Sequence, residues 1–366
     1  MPELIPEIKL NLKKIRSILK SPEKSAEAVN LIYVKDAEEG IKRIKKGKGF
    51  SYLVKNEKLK SKQVLERIKK LVIPPAWKNV WICMLDNGHL QATGLDIKER
   101  KQYRYHPLWN VLRNQTKFYR LYAFGEVLPK IRLQLERDLS LPGLPREKVL
   151  ALVVSLMERT NIRVGNDLYE KLYGSYGLTT LKDKHVKFSG NRIQFTFKGK
   201  KGIQHSISVT NKRFAALVKK CRDIPGKELF QYMNGDKEYK SIDSGMVNEY
   251  IRMISGADFS AKDFRTWAGT VHALLAFKSL GIADTQSEIK KKIVEALDMV
   301  AEQLGNSRTV CKKYYVHPVV IALFEDKKLE NYLAELDTIE VNDNKSDLTS
   351  EEKLLMKILT KESQKI

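Results

Sequence analysis

Cysteine is scarce. Cys83, Cys221 and Cys311 are the only three in 366 residues, and no two are spaced as a CxxC pair. This excludes a disulfide framework or a structural zinc site and points to a reducing compartment. No apolar run reaches membrane-spanning length, and the first residues lack the apolar core of a secretory signal, so a cytosolic protein is expected. There is no glycine-rich phosphate loop, no His-Glu-x-x-His stretch, no paired-aspartate cluster and no internal repeat. Nucleotide and divalent cation have no obvious seat, so neither cofactor nor metal is expected.

Acidic residues are also in short supply, 44 Asp+Glu against 67 Lys+Arg, which leaves a net charge of +23. A polyanion, nucleic acid first, is the expected partner; charge that merely keeps the protein soluble is the plainer alternative. Residues 1–112 carry a net +12, residues 325–366 a net −4, and the stretch between them +15. Two basic blocks and an acidic tail suit two DNA-facing domains and an appendage that does not touch DNA.

Three segments are therefore expected: a β-rich domain over 1–112 (with 1–30 as a helical or loosely ordered extension), a mainly helical domain over 113–334, and an acidic extension over 335–366. In the first, the runs Val80-Trp81-Ile82-Cys83-Met84 and Leu90-Gln91-Ala92-Thr93 flank Asp86-Asn87-Gly88, a hairpin signal. A short helix is predicted over 61–71. The segment from Thr93 to Pro107 interleaves cations with Gln102, Tyr103 and Tyr105, a mixture able to touch phosphates and base edges or to form a half-buried strand.

Beyond Pro107, apolar spacing predicts helices over 129–139, with Pro129 as first residue, and over 146–157. Gly165 breaks the chain after the second, and Asn166 caps a helix over 167–173. Arg163 lies in that tight connection, where a buried cation needs an anionic partner, structural or substrate. A hairpin spans 186–209, with Lys198-Gly199-Lys200-Lys201-Gly202 as its turn and glycines at the φ > 0 positions. Helices resume over 244–254, and Lys262 and Arg265 then share a helical face opposite Phe264 and Trp267. A long helix over 287–304 closes at Gly305, Ser307 caps the next one, and Tyr314 and Tyr315 follow near a helix start among cations.

In order, Arg163, Lys200, Lys262, Arg265, Asn306 and Tyr315 form a coherent chemical set. Two arginines and a polar side chain can hold the non-bridging oxygens of a phosphodiester as charge builds. A lysine depressed by a neighbouring cation can protonate the departing oxygen. A tyrosine can be the nucleophile, storing the bond as a phosphotyrosine ester.

From about residue 31 to residue 323 the chain also resembles the small type IB DNA topoisomerases of bacteria and poxviruses. The carriers are Ile73-Pro74-Pro75-Ala76-Trp77, Gln91-Ala92-Thr93-Gly94, Lys101-Gln102-Tyr103-Arg104-Tyr105, Ile162-Arg163-Val164-Gly165-Asn166, Tyr176-Gly177-Leu178-Thr179-Thr180-Leu181, Phe264-Arg265-Thr266-Trp267-Ala268 and Tyr315-Val316-His317-Pro318. The resemblance implies an α+β fold, with a small β-rich N-terminal domain and a larger helical catalytic domain closing as a clamp on duplex DNA. It implies relaxation of supercoils by a monomer, through a 3′-phosphotyrosyl link, without ATP or metal. Tyr315 would be the nucleophile, Arg163 and Arg265 the phosphate clamp, and Lys200 the general acid assisted by Lys262. Gln102, Tyr103, Arg104 and Tyr105 match the segment that reads the DNA groove. Asn306 stands where the poxvirus branch carries histidine and resembles the bacterial branch; asparagine donates a hydrogen bond but carries no charge.

Tyr314 competes with Tyr315, since adjacent helical residues point about 100° apart and only one can face a given phosphate. The offset from Asn306 and the following Val316-His317-Pro318 favour Tyr315. A tyrosine recombinase is the nearest rival, although it typically shows His-x-x-Arg where Lys262-x-x-Arg265 stands here. A non-enzymatic architectural DNA-binding protein is the other.

Overall fold

Antiparallel pairing of short, alternating segments builds the first part of the chain. The computed structural model describes residues 21–47, 49–97, 101–234, 238–339 and 346–362, and the chain divides into two compact units, one up to Arg120 and one from Leu121. Residues 1–20, and with them most of the expected N-terminal extension, lie outside the described residues, as do Lys98, Glu99 and Arg100.

The first unit contains α1 (Pro22–Glu27), β1 (Ile41–Lys46), β2 (Gly49–Val54), β3 (Glu57–Lys58), α2 (Lys62–Lys70), β4 (Lys78–Ile82), β5 (Leu90–Leu95), β6 (Lys101–Tyr105) and the start of α3 (Pro107–Leu139). The six strands form one antiparallel sheet in the order β3-β2-β1-β4-β5-β6. The expected hairpin is β4–β5, with Ile82 opposite Ala92. Ile41, Val80, Ile82 and Ala92 bury one face against Ile68 of α2, whose N-cap Ser61 accepts a hydrogen bond from the Val64 N–H. A second cluster gathers around His89. Its ring stacks on Tyr33 at 4.2 Å, meets Trp109 edge-on at 4.6 Å, and accepts the Val34 N–H through Nδ1 at 3.1 Å.

In the second unit come α4 (Arg146–Thr160), α5 (Asp167–Tyr173), β7 (Val186–Ser189), β8 (Arg192–Lys198), β9 (Gln204–Thr210), α6 (Lys212–Arg222), β10 (Gln231–Met233), β11 (Tyr239–Ser241) and α7 (Ser244–Ser255). These are followed by α8 (Ala261–Leu280), α9 (Gln286–Leu304), α10 (Arg308–Tyr314), α11 (Pro318–Glu325), α12 (Leu329–Leu333) and α13 (Ser350–Glu362). The fold is thus α+β, with a small antiparallel β-rich part ahead of a mainly helical one. α4 is apolar nearly all round and buried from Lys148 to Met157, as befits a helix at the centre of a bundle.

Two sequence expectations need correction here. Pro129 does not start a helix; it lies inside α3, a continuous 33-residue helix that also contains residue 112, the expected end of the first domain. Burial of Phe124, Leu128 and Ile131 overrides the lost backbone hydrogen bond. In the hairpin turn, Gly199 has φ −91, and the left-handed positions are Lys201 (φ 63) and Gly202 (φ 79). That hairpin is also part of a three-stranded sheet, β7-β8-β9.

The acidic region after residue 335 supplies α13, whose Leu354, Leu355, Ile358 and Leu359 are buried in the helical core. Glu352 forms a 2.8 Å ion pair with Arg132, which bonds Glu158 at 2.7 Å, and accepts the Trp267 indole N–H at 2.8 Å. Among the described residues, no helix is long and apolar enough to cross a membrane.

Candidate active site

The connection after α4 is shaped by residues that leave the right-handed helical region. Asn161 ends the helix at φ 55, and Gly165 at φ +113 turns the chain again before Asn166 caps α5 by accepting the Tyr169 N–H. Between them, Arg163 and Val164 lie against residues 177–179. The Leu178 N–H donates to Arg163 O at 2.9 Å and the Thr179 N–H to Val164 O at 2.6 Å. The approach leaves no room for side chains at the two glycines: a Cβ on Gly177 would fall 2.5 Å from Arg163 O, and one on Gly165 2.8 Å from Thr179 Oγ1. Arg163 is therefore presented from a rigidly backed loop.

Opposite it, α9 ends at Gly305, whose left-handed φ of +56 swings the chain into Asn306. Arg163 Nη2 donates to Gly305 O at 3.1 Å and to Asn306 Oδ1 at 2.5 Å. Arginine has only donors, so the Asn306 oxygen must face it and the amide nitrogen must point away. That Nδ2 is buried and has no hydrogen-bond partner among the described residues.

Arg265 comes from the first turns of α8 and is 5% exposed. Its Nη1 donates to Asn161 O and its Nη2 to Leu304 O at 2.7 Å, while its buried Nε has no hydrogen-bond partner among the described residues. The guanidinium lies 5.3 Å from the centre of the Tyr315 ring. Burial lowers the Arg163 pKa to about 10, with the neighbouring Arg265 adding to the effect, and burial lowers that of Arg265 against the opposing pull of Tyr315. Both remain cations at neutral pH. The guanidiniums bond carbonyl and amide oxygens rather than a carboxylate, and Arg265 also interacts with the Tyr315 side chain. A buried cation and a half-buried one, with donors to spare for an oxygen, form a site complementary to an oxyanion.

Tyr315 enters this corner from the end of a helix, not the start. It closes α10, and His317 then caps α11, with Pro318 at its first position. Gly269 makes the close approach of α8 possible, because a Cβ there would lie 2.7 Å from Tyr315 O. The Thr270 hydroxyl lies 3.2 Å from the same carbonyl and accepts the His317 N–H at 3.2 Å. Tyr314 points elsewhere, 41% exposed, with the Lys313 ammonium 5.4 Å from its ring centre. Cys311 is buried behind, its thiol pushed up to about 11 by burial.

The structure thus brings Arg163, Arg265, Asn306 and Tyr315 together across more than 150 residues of sequence. Among the described residues, no hydrogen bond or ring contact joins the two lysines to them. Lys200 is exposed, its ammonium 5.5 Å over the Tyr169 ring. Lys262 is exposed while Arg265 is buried, so the expected shared cationic face is not formed; residues 264–267 are all buried. In the first unit, Gln102 donates to Asp96 at 3.0 Å, Arg104 donates to Val72 O at 3.0 Å, and Tyr103 and Tyr105 stack at 5.8 Å. All four lie on the edge strand β6.

Several residues of the corner were not singled out from sequence. Asn161 supplies the carbonyl that holds Arg265, and its side chain bonds His272 at 3.1 Å. His205, Gly269 and Thr270 shape the floor. Asn161 carries a signal in retrospect, since asparagine after a helix tolerates the left-handed conformation.

Comparison with known proteins places this arrangement. Residues 100–340 match the family described as "Eukaryotic DNA topoisomerase I, catalytic core", and residues 49–96 match "Bacterial DNA topoisomerase IB, N-terminal domain". The chain belongs to the type IB DNA topoisomerase family and is an enzyme of that type. It is 35% identical to a DNA topoisomerase 1B of Acanthamoeba polyphaga mimivirus over 297 residues, covering 79% of this chain and 88% of the relative. A vaccinia virus DNA topoisomerase 1B is 26% identical over 244 residues, covering 64% and 72%, and a DNA topoisomerase 1 of rabbit fibroma virus is 26% identical over 259, covering 68% and 77%. These relatives are viral, whereas the matched N-terminal domain is described as bacterial.

Proposed function

We propose that this chain relaxes supercoiled duplex DNA as a monomer, by cutting and resealing one strand through a tyrosine ester. The observation that carries the reading is the pair of buried, unpartnered donors, Arg265 Nε and Asn306 Nδ2, beside two arginines and Tyr315. A buried unpaired donor costs about 1–3 kcal/mol, so one left in place at a polar corner marks a ligand oxygen.

In this mechanism the Tyr315 hydroxyl oxygen attacks the phosphorus and its proton is released. Negative charge grows on the non-bridging oxygens, where Arg163, Arg265 and Asn306 stabilise it. The bond to the 5′ oxygen breaks, Lys200 assisted by Lys262 gives that oxygen a proton, and the 3′ end stays on Tyr315. The freed end turns under torque of either sign, and the same steps in reverse reseal the strand. The phosphate ester conserves the bond, so ATP is not consumed. Gln102, Tyr103, Arg104 and Tyr105 supply groove and backbone contacts.

Incubation with negatively and positively supercoiled plasmid in EDTA, without ATP, tests this. Ladders of relaxed topoisomers are expected from both. Strand exchange would support a recombinase, and binding without a change of linking number an architectural protein. Activity should fall steeply with salt, because phosphate contacts release counterions.

A further inference from the structure

Among the described residues, the parts of the chain that carry Lys200 and Asn306 share no hydrogen bond, yet one side chain touches the backbone beside both. His205, on β9, faces Gly199 across the hairpin and Gly305 across the corner. A Cβ on Gly199 would fall 2.5 Å from His205 Cδ2, and one on Gly305 2.3 Å from His205 Cε1. The third side is Phe197, stacked on the imidazole at 5.0 Å and 20°. The hairpin closes around this ring: the Gly199 N–H donates to Ile203 O at 2.7 Å, and the Tyr176 N–H reaches Lys198 O at 2.8 Å.

We propose that His205 is a positioning residue, a flat wedge that sets the hairpin carrying Lys200 in register with the Asn306 corner. The inference rests on the reading of Lys200 as general acid. A planar ring fits a slot whose walls are two glycine backbones and a phenyl ring, where a branched or tetrahedral group would not. Burial, with the Arg163 and Arg265 charges adding to it, lowers the imidazole pKa, so the wedge is neutral at pH 7 and adds no third cation to the corner. Truncation would leave the arginines held by their own carbonyls and free only the hairpin tip.

The test is single-turnover cleavage of two suicide DNA duplexes, one ordinary and one with sulfur in place of the 5′ bridging oxygen. A thiolate leaves without protonation, so only the general-acid step is bypassed. His205→Ala should cleave ordinary DNA at least about tenfold more slowly, yet cleave the sulfur duplex within about twofold of wild type. His205→Phe, which keeps a ring in the slot, should recover most of the loss on ordinary DNA. Equal slowing on both duplexes, or a His205→Phe variant as slow as His205→Ala, overturns the proposal; the sulfur duplex also shows that each variant is folded. Lys200→Ala is measured in parallel: if sulfur does not rescue it, the general-acid reading fails and the proposal with it. If Lys200→Ala is rescued and His205→Ala is not, only the proposal fails.

Discussion

The arginine–tyrosine corner and the two lysines sit in one unit under opposite physical regimes. Arg265 is buried and Arg163 partly so, both tied to carbonyls of distant segments, whereas Lys200 and Lys262 are exposed, on a hairpin tip and a first helical turn. A buried cation is costly unless its geometry is set in advance, so on the proposed mechanism the groups that would meet developing charge are locked before substrate arrives. A proton donor works differently, because it must reach a leaving oxygen only when that oxygen is present.

The sharpest way to break this contrast is at its centre. Tyr315→Phe should abolish covalent DNA adducts and plasmid relaxation, whereas Tyr314→Phe should stay within about twofold of wild type in the same assays. Adducts formed by Tyr315→Phe would move the nucleophile elsewhere. Next, Arg265→Lys keeps the charge but cannot bridge Asn161 O and Leu304 O while offering Nε, so the cleavage rate should fall about 10²–10³-fold. A loss below tenfold would mean that charge alone suffices.

Stability separates structural charges from those proposed to act on the phosphate. Glu352→Ala leaves Arg132 with Glu158 as its one carboxylate, strands the Trp267 indole N–H in the core and should cost about 1–3 kcal/mol, read from urea unfolding. The first unit supplies a pH-dependent counterpart. Burial holds His89 at a pKa of about 4 against an unfolded value of about 6.5, so the unfolded chain takes up a proton first as pH falls. The His89 contribution is complete above pH 6.5 and is lost progressively down to pH 4, at most about 3 kcal/mol. Unfolding midpoints at pH 7 and pH 5 should differ less in His89→Gln than in wild type. Smallest of all, Arg104→Ala should lower DNA affinity severalfold and reduce the salt slope by about one.

Much of the local structure was legible because it depends on neighbours in sequence. Asp86-Asn87-Gly88 between alternating strands, Asn166 ahead of α5 and Gly305 after α9 each act through a turn or cap confined to a few residues. The helix through Pro129 was not legible, since the packing of Phe124, Leu128 and Ile131 that overrides the proline lies outside any local window. Nor was the burial of Arg265 beside an exposed Lys262, because helical spacing places two residues on a face without saying which side the core will cover.

By itself, the sequence determined the basic charge, the α+β class, and the ordered set of Arg163, Lys200, Lys262, Arg265, Asn306 and Tyr315. Tertiary structure alone decided that four of the six meet, that Asn161 and Leu304 aim Arg265, and that His205 lies between Gly199 and Gly305. Residue type and short-range spacing set chemical potential and local conformation. Convergence of groups so far apart needs backbones to approach until only glycine fits between them, and that depends on the whole core closing at once.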